Sequence, residues 1–124
     1  MTPQDVERSP AVLVEILTTC PSEEAAAALA ARLVRERLAA CVQIDGPVRS
    51  TYMWKGSIET ATEWRCTCKT TAARAAACVA TIAACHPYET PEIITKPITA
   101  SPAYATWVSE SVADDGVRGR ATSE

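Results

Sequence analysis

The sequence predicts an α+β domain in which helices cover one face of an antiparallel sheet, and three observations carry that prediction. Runs rich in β-branched and aromatic residues alternate with two stretches of helical periodicity, Lys55-Gly56 joins two of the runs as a hairpin, and Pro87 closes the second helical stretch. The resulting order is β-α-β-β-α-β plus a short terminal helix. This is the split βαβ arrangement of a ferredoxin-like sandwich.

Each element has a local cause. Residues 11–18, Ala-Val-Leu-Val-Glu-Ile-Leu-Thr, form a short β-branched run suited to a mostly buried strand. Pro21 and Ser22 announce a helix, with Ser22 as N-cap and Glu23 and Glu24 in its positive first turn. It is expected to reach about Ala39, with Leu29, Ala30, Leu33, Val34 and Leu38 on one side and Arg32, Arg35 and Glu36 on the other. Arg37 falls on the apolar side and must snorkel or pair.

After Gly46-Pro47, residues 48–54 and 57–69 read as two long strands around the tight Lys55-Gly56 turn. On the second strand Trp64, Cys66 and Cys68 share one face, and Arg65, Thr67 and Lys69 the other. Thr70 or Thr71 caps a second helix carrying Ala75, Cys78, Val79, Ile82 and Ala83 at helical spacing. Residues 92–97 supply a fourth strand, and a last helix aligns Tyr104, Trp107, Val108 and Val112. The domain thus spans residues 11–112, between a polar tail at 1–10 and a charged tail at 113–124, both expected to be flexible.

Composition narrows the function. At 124 residues the chain is one domain, and with no Phe its core must come from Val, Ile, Leu, Ala and a few Trp and Tyr. A net charge of −3 with interspersed signs offers no electrostatic track for nucleic acid. No apolar run is long enough to span a membrane, and the start, Met1-Thr2-Pro3-Gln4-Asp5, has no secretory pattern, so a cytoplasmic location is expected. In that compartment the six cysteines, at 20, 41, 66, 68, 78 and 85, are expected to be free thiols. The long hairpin would expose apolar and aromatic side chains on the sheet's second face, and self-association is the simplest way to cover them.

One segment gathers the unusual chemistry: Cys85-His86-Pro87-Tyr88-Glu89-Thr90-Pro91-Glu92, which holds the lone histidine. Imidazole and thiolate suit borderline and soft metals, and the carboxylates of Glu89 and Glu92 could complete such a site. The same residues also read as an ordinary helix end, since His is common in last turns and a residue before proline leaves the helical region.

Leu38-Ala39-Ala40-Cys41-Val42, Tyr52-Met53-Trp54-Lys55-Gly56, Lys69-Thr70 and His86-Pro87-Tyr88-Glu89-Thr90-Pro91-Glu92, in that order, resemble the CutA proteins, also called divalent cation tolerance proteins. The resemblance implies a ferredoxin-like subunit in a tight homotrimer, packed as in the PII signalling proteins, with copper or another divalent ion as ligand. The family's proposed copper ligands map to Thr18, Cys85 and His86. Here Thr18 replaces the Cys of the commoner bacterial pattern, Cys20 lies two residues on, and Cys85 stands where some relatives carry a second His. Thiol being softer than imidazole, Cu(I) suits this set at least as well as Cu(II).

Three functions follow as expectations. The first is a trimeric metal-binding protein using Cys85 and His86, supplemented by Cys20, Glu89 or Glu92. The second is a PII-like sensor holding a small anionic metabolite in an inter-subunit cleft near Trp54, Lys69 and Tyr88. The third is a scaffold without a ligand, in which Trp54, Tyr88 and Trp107 are interface core. An enzyme is not expected, because no nucleophile has a second histidine to serve it. No protein partner other than the chain itself is identifiable.

Overall fold

The computed structural model describes residues 11–113, so the expected tails lie outside the described residues, apart from Ala113. Seven elements follow in order: β1 (Ala11–Cys20), α1 (Glu23–Arg35), β2 (Cys41–Trp54), β3 (Ser57–Thr70), α2 (Ala72–Cys85), β4 (Ile93–Ala100) and α3 (Pro102–Val112). The four strands make one sheet in the order β2-β3-β1-β4, with every pairing antiparallel. That is the ferredoxin-like sandwich the sequence predicts.

Strand alternation sets the layers. Ile16, Cys20, Cys66 and Cys68 share one face of the sheet and pack against Ala26, Leu29 and Leu33 of α1 and Cys78 and Ile82 of α2, forming the main core. Leu13 and Ile98 are register partners on the opposite face, where they meet Ala105 and Val108 of α3. The sequence assigns no side to this terminal helix. The structure seats it on the second face, at the end of the sheet away from the hairpin.

Several boundaries move. Helix α1 begins as expected, with the Ser22 hydroxyl accepting from the Ala25 N–H at 3.0 Å. It ends at Arg35 rather than Ala39, because Arg37 takes φ 60° and the Leu38 N–H bonds back to the Leu33 carbonyl. Arg37 is therefore the left-handed residue that stops the helix, and its guanidinium donates to the Ser111 carbonyl at 3.1 Å. Val34, expected inside, is 44% exposed. On α3 the inward stripe is Ala105, Val108 and Val112, while Tyr104 and Trp107 lie outside it with ring centroids 5.7 Å apart.

Strand β2 starts at Cys41 and β4 runs on to Ala100, both longer than the sequence suggests. Pro97 fits within β4 because β4 is an edge strand. A register shift between Asp45 and Val48, at the cis Gly46-Pro47 peptide, interrupts the β2–β3 ladder. Gly46 is required there, since a Cβ would lie 2.7 Å from Trp64 Cδ1. Beyond the shift Ser50, Tyr52 and Trp54 face the same side as Glu59 and Glu63. No helix among the described residues is long and apolar enough to cross a membrane.

Candidate functional site

Helix α2 ends at Cys85 because His86 precedes Pro87 and takes an extended conformation, φ −74° and ψ 137°. The turn carries His86 back onto β1, where its Nε2 lies 2.7 Å from the Thr19 carbonyl oxygen. A carbonyl only accepts, so Nε2 carries the proton; Nδ1 then accepts from the Tyr88 N–H at 3.2 Å. Both ring nitrogens are engaged. Cys85 Sγ accepts from Arg32 Nη1 at 2.8 Å, and the same guanidinium donates through Nε to Glu36 at 2.8 Å.

Cys20, Cys85 and His86 line one pocket of about 410 Å³, with an apolar wall of Ala25, Ala28, Leu29 and Pro87 and with Arg32 at its side. Of these donors Cys20 is buried and Cys85 exposed. All six cysteines are free thiols. Contact with Cys20, then burial, pushes the Cys66 thiol up, and contact with Cys78, then burial, does the same to Cys68. Both remain neutral members of the core.

The other candidate residues fall elsewhere. Thr18 is wholly buried outside the lining of this pocket, and its hydroxyl has no hydrogen-bond partner among the described residues. Lys69 sits on the second face of the sheet, paired with Glu15 at 3.6 Å and donating to Gln43 at 3.1 Å. Trp54 closes the hairpin at the far end of the same ladder, so within one chain Lys69 and Trp54 do not meet.

Glu89 and Glu92 open instead into a second, larger cavity of about 820 Å³, together with Trp54 and Tyr88. Strand β2 adds Ser50, Thr51 and Tyr52 to it, β3 adds Glu59 and Glu63, and β1 adds Thr19. The Tyr88 hydroxyl donates to Glu63 at 3.0 Å. Burial, then this bond and the Glu63 charge, pushes the Tyr88 phenol up to about 12. The His86 and Tyr88 rings, 4.8 Å apart, stand between the two cavities. Thr19, Glu59 and Glu63 escaped the sequence reading. The only signal for them was their position on strands that the hairpin folds together.

The donor chemistry of the smaller pocket, two thiols and an imidazole, fits a soft metal ion. Its geometry as folded is protein-satisfied: among the described residues no three His, Cys, Asp or Glu side chains converge closely enough to hold a metal. A metal would have to displace Arg32 from Cys85 and one hydrogen bond from His86.

Comparison with known proteins agrees with the fold. A family model described as CutA1 divalent ion tolerance protein matches residues 14–111. The chain is 39% identical over 100 residues to the Protein CutA homolog of Danio rerio, covering 80% of this chain and 67% of that protein. It is 38% identical over 102 residues to Protein CutA of Mus musculus, covering 79% of this chain but only 58% of the relative. With the divalent-cation tolerance protein CutA of Escherichia coli (strain K12 / DH10B) it shares 34% identity over 109 residues, 87% of this chain and 97% of the other. Among solved structures, CutA from Xylella fastidiosa superimposes with a TM-score of 0.79 at 37% identity, covering 82% of this chain and 98% of that one. The divalent cation tolerance protein of Thermus thermophilus gives 0.77 at 38% identity, covering 83% and 100%. By sequence and by fold alike, this chain belongs to the CutA1 divalent ion tolerance protein family.

Proposed function

We propose that this protein is a cytoplasmic homotrimer that binds a soft metal ion, copper in its reduced state foremost, and contributes to metal tolerance. The observation that carries this reading is that Cys20, Cys85 and His86 all line one pocket. When bound, the ion would be held by thiolate and imidazole donors, a set that selects soft and borderline ions over hard ones. Cys20 is the better third donor than Thr18, both for its sulfur and for its place in the pocket lining. Glu89 and Glu92 open into the neighbouring cavity and are at most outer partners. Family membership supports the tolerance role, and six free thiols suit a reducing compartment.

Calorimetry against Cu(I) and Cu(II), on untagged protein kept reduced, tests the reading. Cys85→Ala, His86→Ala and Cys20→Ala are each expected to weaken Cu(I) binding by roughly tenfold or more. Cys68→Ala changes stability but not affinity, because Cys68 lies in the core away from the pocket. Wild-type affinity in the Cys85 and His86 variants, with folding verified by circular dichroism, would leave the scaffold reading in place. An anionic metabolite near Trp54 has less support, since Lys69 lies at the other end of the ladder.

A further inference from the structure

The smaller pocket is roomier than a metal ion requires. Its volume of about 410 Å³ falls within the range of small-molecule sites, whereas a water molecule fills only about 30 Å³ and an ion no more. Space is left for an organic ligand. The pocket lies on the helix-covered side of the sheet, against α1 and the end of α2, and takes no residue from the hairpin or from the sheet's second face. A homotrimer packed through those surfaces leaves it open.

The lining favours an anion over a bare cation. Arg32 is its only permanent charge, no Asp or Glu belongs to it, and Ala25, Ala28, Leu29 and Pro87 make the wall beside the guanidinium apolar. Glu36 holds that guanidinium through Nε at 2.8 Å, and Cys85 Sγ occupies Nη1 at 2.8 Å. A guanidinium has five N–H donors, so once Cys85 turns to a metal ion the edge formed by Nη1 and Nη2 can grip a carboxylate at two points. Glu36 still fixes the other side. The protein's own donors meanwhile leave an ion short of ligands, since no three His, Cys, Asp or Glu side chains converge among the described residues.

We propose that the pocket takes its soft ion as a complex with a small thiol that bears a carboxylate. The carrier's sulfur supplies the missing soft ligand beside Cys85 and His86, its carboxylate pairs with Arg32, and its carbon chain lies against Leu29 and Pro87. Cys85 gives its proton to solvent on coordination, and no electron is transferred. The inference rests on the metal-binding reading and names the form in which the ion is recognised.

N-acetylcysteine and its amide are the probes, because the amide lacks the carboxylate. Each is titrated as its Cu(I) complex into the reduced, untagged full-length protein by calorimetry, and native mass spectrometry reads whether the thiol stays with the ion. Wild type is expected to retain the ion and N-acetylcysteine together. Arg32→Gln should weaken binding of that complex about fivefold. It should leave the amide complex as tight as in wild type or tighter, because Cys85 is then released from the guanidinium. Arg35→Gln, on the same helix but outside the pocket, should change neither, and both arginines are exposed enough to be replaced without disturbing the fold. Three results would each overturn the proposal: an ion bound without the thiol, an Arg32→Gln loss equal for both complexes, or no loss for either. Those three leave the metal reading standing, whereas absence of Cu(I) binding from both complexes would remove that reading and this inference with it.

Discussion

His86 illustrates how one side chain serves two ends. Its ring is fixed by the Thr19 carbonyl and the Tyr88 N–H, so it fastens the end of α2 to β1 while standing between both cavities. The sequence singled it out by rarity and by the prolines around it. The carbonyl it meets lay 67 residues away and could not be read from local pattern. Tyr88, two residues on, carries a measurable signature of the larger cavity. Its phenol is pushed up to about 12 by burial and then by Glu63. An unfolded tyrosine titrates near 10, so the neutral phenol is favoured by the fold. Its contribution to stability is complete below about pH 10 and is lost as pH rises through about 12. Absorbance titration should show a late phenolate component that Tyr88→Phe removes. Tyr104 is shifted up too, by burial and then Cys41, so the variant is what assigns the component. A titration curve identical in wild type and Tyr88→Phe would contradict the proposed environment of Tyr88.

At the scale of elements, two glycines act for different reasons and should fail differently. Gly56, with φ +83°, follows Lys55 at φ 50°, so the two-residue turn places both central residues in the left-handed region that strand twist demands. A Cβ on Gly56 would meet nothing within 4 Å, so Gly56→Ala costs backbone conformation alone, about 1 kcal/mol. Gly46→Ala drives a Cβ into the Trp64 ring and against the Glu63 carbonyl, and should cost about 1–3 kcal/mol. Urea denaturation of both variants checks the order, and an equal loss would mean that Trp64 moves aside freely. The hairpin was legible because Lys-Gly between alternating strands is a strong turn signal. The end of α1 was not, because a left-handed Arg37 carries no sequence mark of the kind glycine provides. The side taken by α3 was equally hidden: a short helix rich in small residues can lie on either face until Leu13 and Ile98 are placed.

At the scale of the molecule, the hairpin is the part that one chain leaves unfinished. Residues 51–60 are all exposed, with Met53 at 66% and Ile58 at 73%, and these two are register partners on the same face of the ladder. Val12 at 65% adds apolar surface at the start of β1. Such surface is expensive in water, at roughly 25 cal/mol for each Å² left uncovered. The sheet's second face is different in kind: Glu15 is bridged there by Lys69 at 3.6 Å and Lys96 at 3.3 Å, and Asp45 by Arg65 at 2.7 Å. The candidate site was legible where one contiguous segment carried it, and illegible where β1, β2 and β3 each contribute side chains to the larger cavity. The proposed assembly rests on the apolar hairpin and the family resemblance. Light scattering should give about three times the 13.2 kDa chain mass. Met53→Glu combined with Ile58→Glu places like charges opposite each other on an apolar patch, and should shift the protein towards monomer by several kcal/mol if that patch is covered by a neighbouring chain. A double variant that stays trimeric would move the interface off the hairpin, and a folded wild-type monomer would remove the trimer altogether.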